Sequence, residues 1–377
     1  MVHPEKFIES LRRNGISFFS GVPDSLLKDL LAYIEQNVPA YERITAANEG
    51  NAIAIAAGYH LATGKVAAVY MQNSGIGNAV NPLTSLADKD VYAIPMLLII
   101  GWRGEPGVKD EPQHKKQGRI SDKLLDVLEI PHAVLSKTMS GEAIASEVAR
   151  LAALSRTEGR PCALLVKSGT FEAYPMRKPV AEAGSLGREE AIGLVLDSLD
   201  GGEIVVSTTG KISRELYEER KNRGESFGKD FLTVGSMGHA SQIALGIAHQ
   251  KKDRQVYCLD GDGATIMHMG GLATAGWMHP KNFKHIVLNN LAHESVGGQP
   301  SAASIVDLPG VAKNCGYAFA STAATKEDLP PRLAELKEKN GPAFLEIRVN
   351  LESRKDLGRP KESPFENKKK FMDFIGK

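Results

Sequence analysis

Cysteine is scarce. The 377 residues hold three (Cys162, Cys258 and Cys315), none in a C-x-x-C pair. That excludes a disulfide framework and a thiolate zinc site, and leads us to expect a cytosolic setting. Charge of one sign is not in excess either: the net is +1, so bulk electrostatics gives no case for nucleic acid or a membrane surface. The longest apolar run, "AIPMLLIIGW", is too short to span a bilayer. The start, "MVHPEKFIESLRRNG", is charged and amphipathic, without the apolar centre of a signal peptide. The ten histidines show no H-E-x-x-H or Cys/His zinc spacing, and no G-x-x-x-x-G-K-[ST] phosphate loop is present. "NSGIGNAVNP" imitates a dinucleotide fingerprint, but Val80 stands where the third glycine belongs and no acid closes the next strand. "ENKKKFMDF" reads as the solvated face of a helix.

What is there is an internal echo. "PEKFIESLRRNGISFFSGVPDSLL" reads as helix, glycine stop, strand and turn, and "REEAIGLVLDSLDGGEIVVSTTGKISREL" reads the same way from residue 188. Each half closes on a Pro-led apolar strand, "EGRPCALLVKSG" and "KNGPAFLEIRVN". A repeat this long means a duplicated domain rather than a solenoid. We expect domains at 1–172 and 188–377, joined by a Pro-bearing linker at 173–187 with no periodic apolar pattern.

Short β-rich runs alternate with helical patterns in both halves. The first gives "FFS", "VAAVYMQ", "MLLIIGW" and "CALLVK"; the second gives "EIVVST", "FLTVG", "QVYCLDG", "HIVLNN" and "AFLEIRV". Several are apolar throughout, as strands covered on both faces must be. The expected fold is therefore α/β, two similar doubly wound parallel-sheet domains with no middle domain. Ligands of such sheets sit beyond the carboxyl ends of the strands.

Two of those ends carry oxygen. "CLDGDGATIMHMGG" puts Asp262 between Gly261 and Gly263, and "LNNLAHESVGGQ" ends a strand in paired asparagines. A carboxylate, the Asn290 amide oxygen and loop carbonyls form an oxygen set suited to Mg²⁺, which shares substrate phosphates. The two glycines let backbone approach a diphosphate closely. The bland alternative is a βα turn capped by an aspartate.

GDG followed by NN resembles the cofactor signature of the thiamine-diphosphate (ThDP) enzymes. That resemblance implies ThDP and Mg²⁺ as cofactors, with the metal held by Asp262, Asn290 and the Ala292 carbonyl. "NEGNAIAIAAGYHLATGK" is similar to the family's helix bearing the glutamate that bonds N1′ of the aminopyrimidine, here Glu49. Taken as residues alone, Glu49 also reads as a carboxylate favoured by a helix N-terminus. "LTVGSMGHAS" resembles the loop whose bulky apolar residue props the cofactor into its bent form, which gives Met237, with the Gly235 carbonyl accepting the 4′-amino proton. Thr209, Gly210, Ser236 and Ala264 complete the implied cofactor contacts.

Further stretches, "FFSGVPDSLLKDL", "GWRGEPGVKDEPQHKKQG", "TTGKISREL" and "SRKDLGRP", extend the resemblance over nearly the whole chain, toward the two-domain decarboxylases of that family. It implies loss of CO₂ from a 2-oxoacid, phosphonopyruvate in phosphonate biosynthesis, with sulfopyruvate or another 2-oxoacid as the alternative and a non-catalytic subunit as the remote one. Such a substrate carries two anions and needs cations and directed donors. Arg103, Lys211 and Arg214 are the substrate candidates; Asp24, Ser25, His114, His293 and Glu294 join Glu49 as catalytic candidates. The family also implies a homodimer or higher homo-oligomer whose active sites are shared between chains.

Overall fold

A computed structural model describes residues 1–177, 184–351, 353–354 and 356–376. The chain divides into two units, Met1–Pro179 with Ser295–Gln299, and Val180–Glu294 with Pro300–Lys377. The expected linker falls partly outside the described residues.

The first unit carries β1 (Phe19–Gly21), β2 (Arg43–Thr45), β3 (Ala67–Gln72), β4 (Met96–Gly101), β5 (His132–Leu135) and β6 (Pro161–Val166). They form one sheet in the order β2-β1-β3-β4-β6-β5, every pairing parallel. In β3, β4 and β6 nearly every residue is buried, because helices cover both faces. Alternate residues serve opposite layers: Leu97, Ile99 and Leu164 join one apolar cluster, Leu98, Ile100 and Leu165 the other.

The second unit repeats the plan with β7 (Ile204–Ser207), β8 (Asp230–Leu232), β9 (Val256–Gly261) and β10 (Phe283–Asn289). Two short strands follow, β11 (Ala292–His293) and β12 (Gln299–Pro300), then β13 (Phe319–Ala323) and β14 (Ala343–Arg348). Its large sheet, again parallel, runs β13-β14-β10-β9-β7-β8. Read from the β8 end, and numbered within its own unit, that order is the same as in the first sheet. The sequence echo is thus an echo of topology.

Three strands of the two large sheets were not read from sequence: β2, β5 and β13. All three are sheet edges whose residues are mostly half-exposed or exposed. The run "FLTVG" yields only Asp230–Leu232; beyond Leu232 the chain turns into a loop with Gly235 and Ser236 at positive φ. In both sheets the first two strands lie side by side and the third sits on the far side of the first, so the strand order reverses its sense across the sheet between β1 and β3 and between β7 and β9 while every strand stays parallel. Loops leaving the carboxyl ends at these points open a crevice suited to a ligand.

Candidate active site

In the first unit, Glu49 opens the helix Glu49–Thr63 that follows β2, where Asn48 caps the helix by accepting from the Asn51 N–H at 2.9 Å. The Glu49 side chain is buried, and Asn78 Nδ2 donates to its Oε2 at 2.7 Å. The other oxygen lies against Gly75, where a Cβ would fall 2.4 Å from Oε1. A carboxylate clamped between an amide and a bare Cα keeps one orientation. Asn78 was not singled out in the sequence, although it stands in the stretch "NSGIGNAVNP".

Asp24 follows β1 and is wholly buried. It accepts from Gln72 Nε2 at 2.7 Å, at the end of β3, and from the Leu27 N–H at 3.2 Å. Burial raises its carboxyl above the ordinary range despite these donors. Next to it, the Ser25 hydroxyl accepts from Arg103 Nη1 at 2.8 Å. Arg103 leaves β4 and is engaged side-on by Asp110, with Nε 2.8 Å from Oδ2 and Nη2 2.5 Å from Oδ1. Ser25, Arg103, Lys109, Asp110 and Ser168 line a cavity of about 280 Å³. His114 lies in the helix Pro112–Val127; its Nδ1 is buried with no hydrogen-bond partner among the described residues, and burial lowers its basicity.

In the second unit, Asp262 follows β9 and opens the helix Asp262–Met267. It is buried; the Ser301 hydroxyl donates to Oδ2, and burial pushes the carboxyl up to about 6. Among the described residues no cation stands within ion-pair distance of it. A buried carboxylate in that state is costly unless a cation arrives. The paired asparagines divide their work. Asn289 donates to Glu346 at 2.7 Å and accepts from the Leu291 N–H at 2.9 Å, so it braces the strand end. Among the described residues Asn290 Oδ1 accepts only the Ala292 N–H at 3.2 Å, while its Nδ2 donates to Glu294 at 3.1 Å. Asp262, the Asn290 oxygen and the Ala292 carbonyl are therefore an oxygen set of the kind that holds Mg²⁺.

The surrounding loops carry the other expected contacts. Thr209 Oγ1, at the end of β7, accepts from the Gly235 N–H at 3.0 Å, joining two of the loops. A Cβ on Gly263 would lie 3.0 Å from the His293 ring and 3.5 Å from the Met237 methyl, so these three residues converge where Gly263 is bare. Gly261 and Ala264 flank the same turn, with Gly210 heading the helix Lys211–Asn222 and Ser236 exposed beside Met237. Desolvation holds the His293 imidazole down to about 4.

Lys211 and Arg214 are already engaged. Lys211 Nζ reaches Glu294 at 2.9 Å and Ser353 at 2.7 Å, and Arg214 donates to the backbone carbonyls of Leu357 and Gly358. Glu294 also receives Arg188 Nη1 at 2.5 Å. Burial alone would raise its carboxyl, but Arg188 and Lys211 outweigh it and keep the group below the ordinary range. It is an ionised, fully engaged carboxylate, which is not the state of a proton donor. Arg188, Glu215 and Ser301 are structural members of this region that sequence reading missed.

Residues 3–130 match the family "Thiamine pyrophosphate enzyme, N-terminal TPP binding domain", and residues 210–347 match its C-terminal TPP binding domain. The chain is 36% identical to a phosphonopyruvate decarboxylase of Streptomyces viridochromogenes, over all of this chain and 95% of that protein. The chain belongs to this family of thiamine-pyrophosphate enzymes. A phosphonopyruvate decarboxylase of Streptomyces hygroscopicus is also 36% identical, over 99% of this chain and 94% of the relative. A sulfopyruvate decarboxylase of Methanosarcina acetivorans is 27% identical, over 92% and 91%. The family's cofactor, ThDP, fits what the two units offer. One holds a clamped, buried glutamate; the other presents bare glycine backbone beside a carboxylate that lacks a cation.

Proposed function

We propose that this protein decarboxylates 3-phosphonopyruvate to 2-phosphonoacetaldehyde and CO₂, with ThDP and Mg²⁺. The observation that carries the substrate is similarity, end to end, to two phosphonopyruvate decarboxylases. Asp262, Asn290 and the Ala292 carbonyl would hold the metal, with Thr209, Gly210, Gly261, Gly263 and Ala264 around the diphosphate. Gly235, Ser236 and Met237 would flank the rings of the cofactor. When bound, ThDP supplies the carbon nucleophile and the electron sink that decarboxylation needs.

The remaining work is binding and proton movement. Glu49 would exchange a proton with the aminopyrimidine, and its clamp between Asn78 and Gly75 supports that use. A proton must replace the lost carboxylate on the substrate. Asp24, whose burial favours its protonated form, is the donor we assign, with Ser25 alongside; His114 and His293, which burial keeps neutral, would take part as uncharged imidazoles. Arg103, over the cavity it lines with Ser25 and Lys109, is the cation best set for a substrate anion. Lys211 and Arg214 would serve only after leaving their present partners.

We read residues 1–172 and 188–377 as the two domains and the active sites as shared between chains of a homo-oligomer, as expected from the family. No described helix is long and apolar enough to cross a membrane, and we assign the protein to the cytoplasm. One assay tests the substrate: CO₂ release from phosphonopyruvate, sulfopyruvate and pyruvate side by side, with and without ThDP and Mg²⁺. Phosphonopyruvate turned over fastest, and only with cofactor, is the expected result. Preference for sulfopyruvate would reassign the enzyme to its nearest alternative.

A further inference from the structure

An asparagine is an ambiguous metal ligand, because the amide presents oxygen one way and nitrogen the other. At Asn290 the neighbours remove the ambiguity. The Ala292 N–H can only donate, so it fixes Oδ1; the Glu294 carboxylate, when ionised, can only accept, so it fixes Nδ2. Glu294 is itself held from two sides. Arg188 Nη1 donates to the same oxygen that receives the amide, at 2.5 Å, and Lys211 Nζ donates to the other, at 2.9 Å. Behind them Arg188 is buried and bonded side-on to Glu215, with Nε at 2.6 Å and Nη2 at 2.7 Å. The first residue of the helix Arg188–Asp197 is thereby linked through Glu294 to the end of β10.

We propose that Glu294 is a positioning residue for the metal. It locks the Asn290 amide with its oxygen toward the Mg²⁺ position, and Arg188 and Lys211 lock Glu294. The proposal rests on the Mg²⁺ site described above. Partners behind a metal ligand typically carry 10–100-fold in affinity. A carboxylate holding two cations and an amide has no proton to give, so Glu294 acts on the metal and not on the substrate.

The test reverses the polarity of one hydrogen bond. ThDP binding to the full chain is measured by calorimetry across a Mg²⁺ titration, for wild type, Glu294→Gln, Asn290→Asp and the double variant. Glu294→Gln should raise the Mg²⁺ concentration for half-maximal binding by about 10–100-fold. At saturating Mg²⁺ its hydrogen/deuterium exchange at the cofactor C2 should match wild type. Asn290→Asp sets two carboxylates against each other and should weaken Mg²⁺ binding too. In the double variant the amide now at position 294 donates where the carboxylate accepted, and the carboxylate now at position 290 keeps an oxygen for the metal. The amide nitrogen at position 294 also faces the Arg188 Nη1 donor, so part of the affinity, and not all of it, should return. That recovery also shows that the fold tolerates the changes. A wild-type Mg²⁺ curve for Glu294→Gln, or a double variant no better than the worse single one, would overturn the proposal. So would turnover that stays lost in Glu294→Gln at saturating Mg²⁺, which would return the residue to proton transfer. Wild-type protein binding ThDP equally well without Mg²⁺ would instead overturn the metal site beneath it.

Discussion

Replacing Asp262 by asparagine should stabilise the protein while disabling it. The Asp262 carboxyl is buried, and burial holds it at about 6 against an ordinary 3.8. The folded chain therefore binds this proton more tightly than the unfolded one. Between those two pKa values the native state carries more protons, so stability falls as pH rises through that window. Each pH unit is worth ~1.4 kcal/mol, and the roughly two units between the values make a penalty of ~3 kcal/mol, complete above about pH 6. Asparagine has the shape of the protonated acid and still offers one oxygen to Ser301, yet it does not titrate. Urea unfolding in buffer free of Mg²⁺ and ThDP should find Asp262→Asn ~3 kcal/mol more stable than wild type at pH 7.5. Near pH 4 the advantage should be nearly gone. Other buried carboxyls, such as Asp230, titrate in both proteins, so the difference between the two curves is the quantity to read. Adding Mg²⁺ and ThDP at pH 7.5 should raise the stability of wild type and not of the variant. A stability difference that does not change with pH, or a variant weaker than wild type at pH 7.5, would refute the reasoning.

The Glu49 clamp gives a second expectation. Gly75→Ala would set a Cβ 2.4 Å from Glu49 Oε1, so the carboxylate must turn away. Deuterium exchange at the cofactor C2 should then fall by about 10²–10⁴, as in Glu49→Gln, with Mg²⁺-dependent ThDP binding largely kept. An unchanged exchange rate would mean that the glutamate orientation is not what activates the cofactor. The shared-site arrangement gives a third. Mixing Glu49→Gln chains with Asp262→Ala chains should restore activity, because a hybrid dimer has one site with both lesions and one intact. No recovery, with subunit exchange demonstrated, would put each site within one chain.

The interior of both sheets was legible because strands covered on both faces must be apolar throughout; "MLLIIG" and "CALLV" could hardly be otherwise. Three of the four edge strands were not. In β2 the residues Arg43, Ile44 and Thr45 are partly or fully exposed, and β5 and β13 are little better covered. Such a segment makes its ladder bonds on one side only and needs no special composition to do so. In the site, residues at strand ends beside glycine could be found, since GDG and NN are local patterns. Ser301 and Asn78 could not, because each reaches its carboxylate from a distant or unremarkable position. Nor could Arg188, which lies 106 residues from Glu294 in the chain. Charge and a place just after "STTG" singled out Lys211 and Arg214, and neither says whether a cation is free or already paired.

The repeated strand order has a consequence for how such a protein diversifies. One scaffold, made twice, delivers side chains at the same four loop positions. After the first strand of each copy come Asp24 and Thr209; after the second, Glu49 and Met237; Gln72 ends the third strand of one copy and Asp262 follows that of the other; after the fourth come Arg103 and Asn290. The paralogous loops do not share a residue type at any of these positions. In the proposed function the first copy would supply Asp24 and Glu49 for protons and Arg103 for a substrate anion, and the second Asp262 and Asn290 for the metal and Met237 beside the cofactor rings. Because the loops lie outside the packed cores of both sheets, a substitution in one copy's loops can change its chemistry without disturbing the packing that either sheet needs.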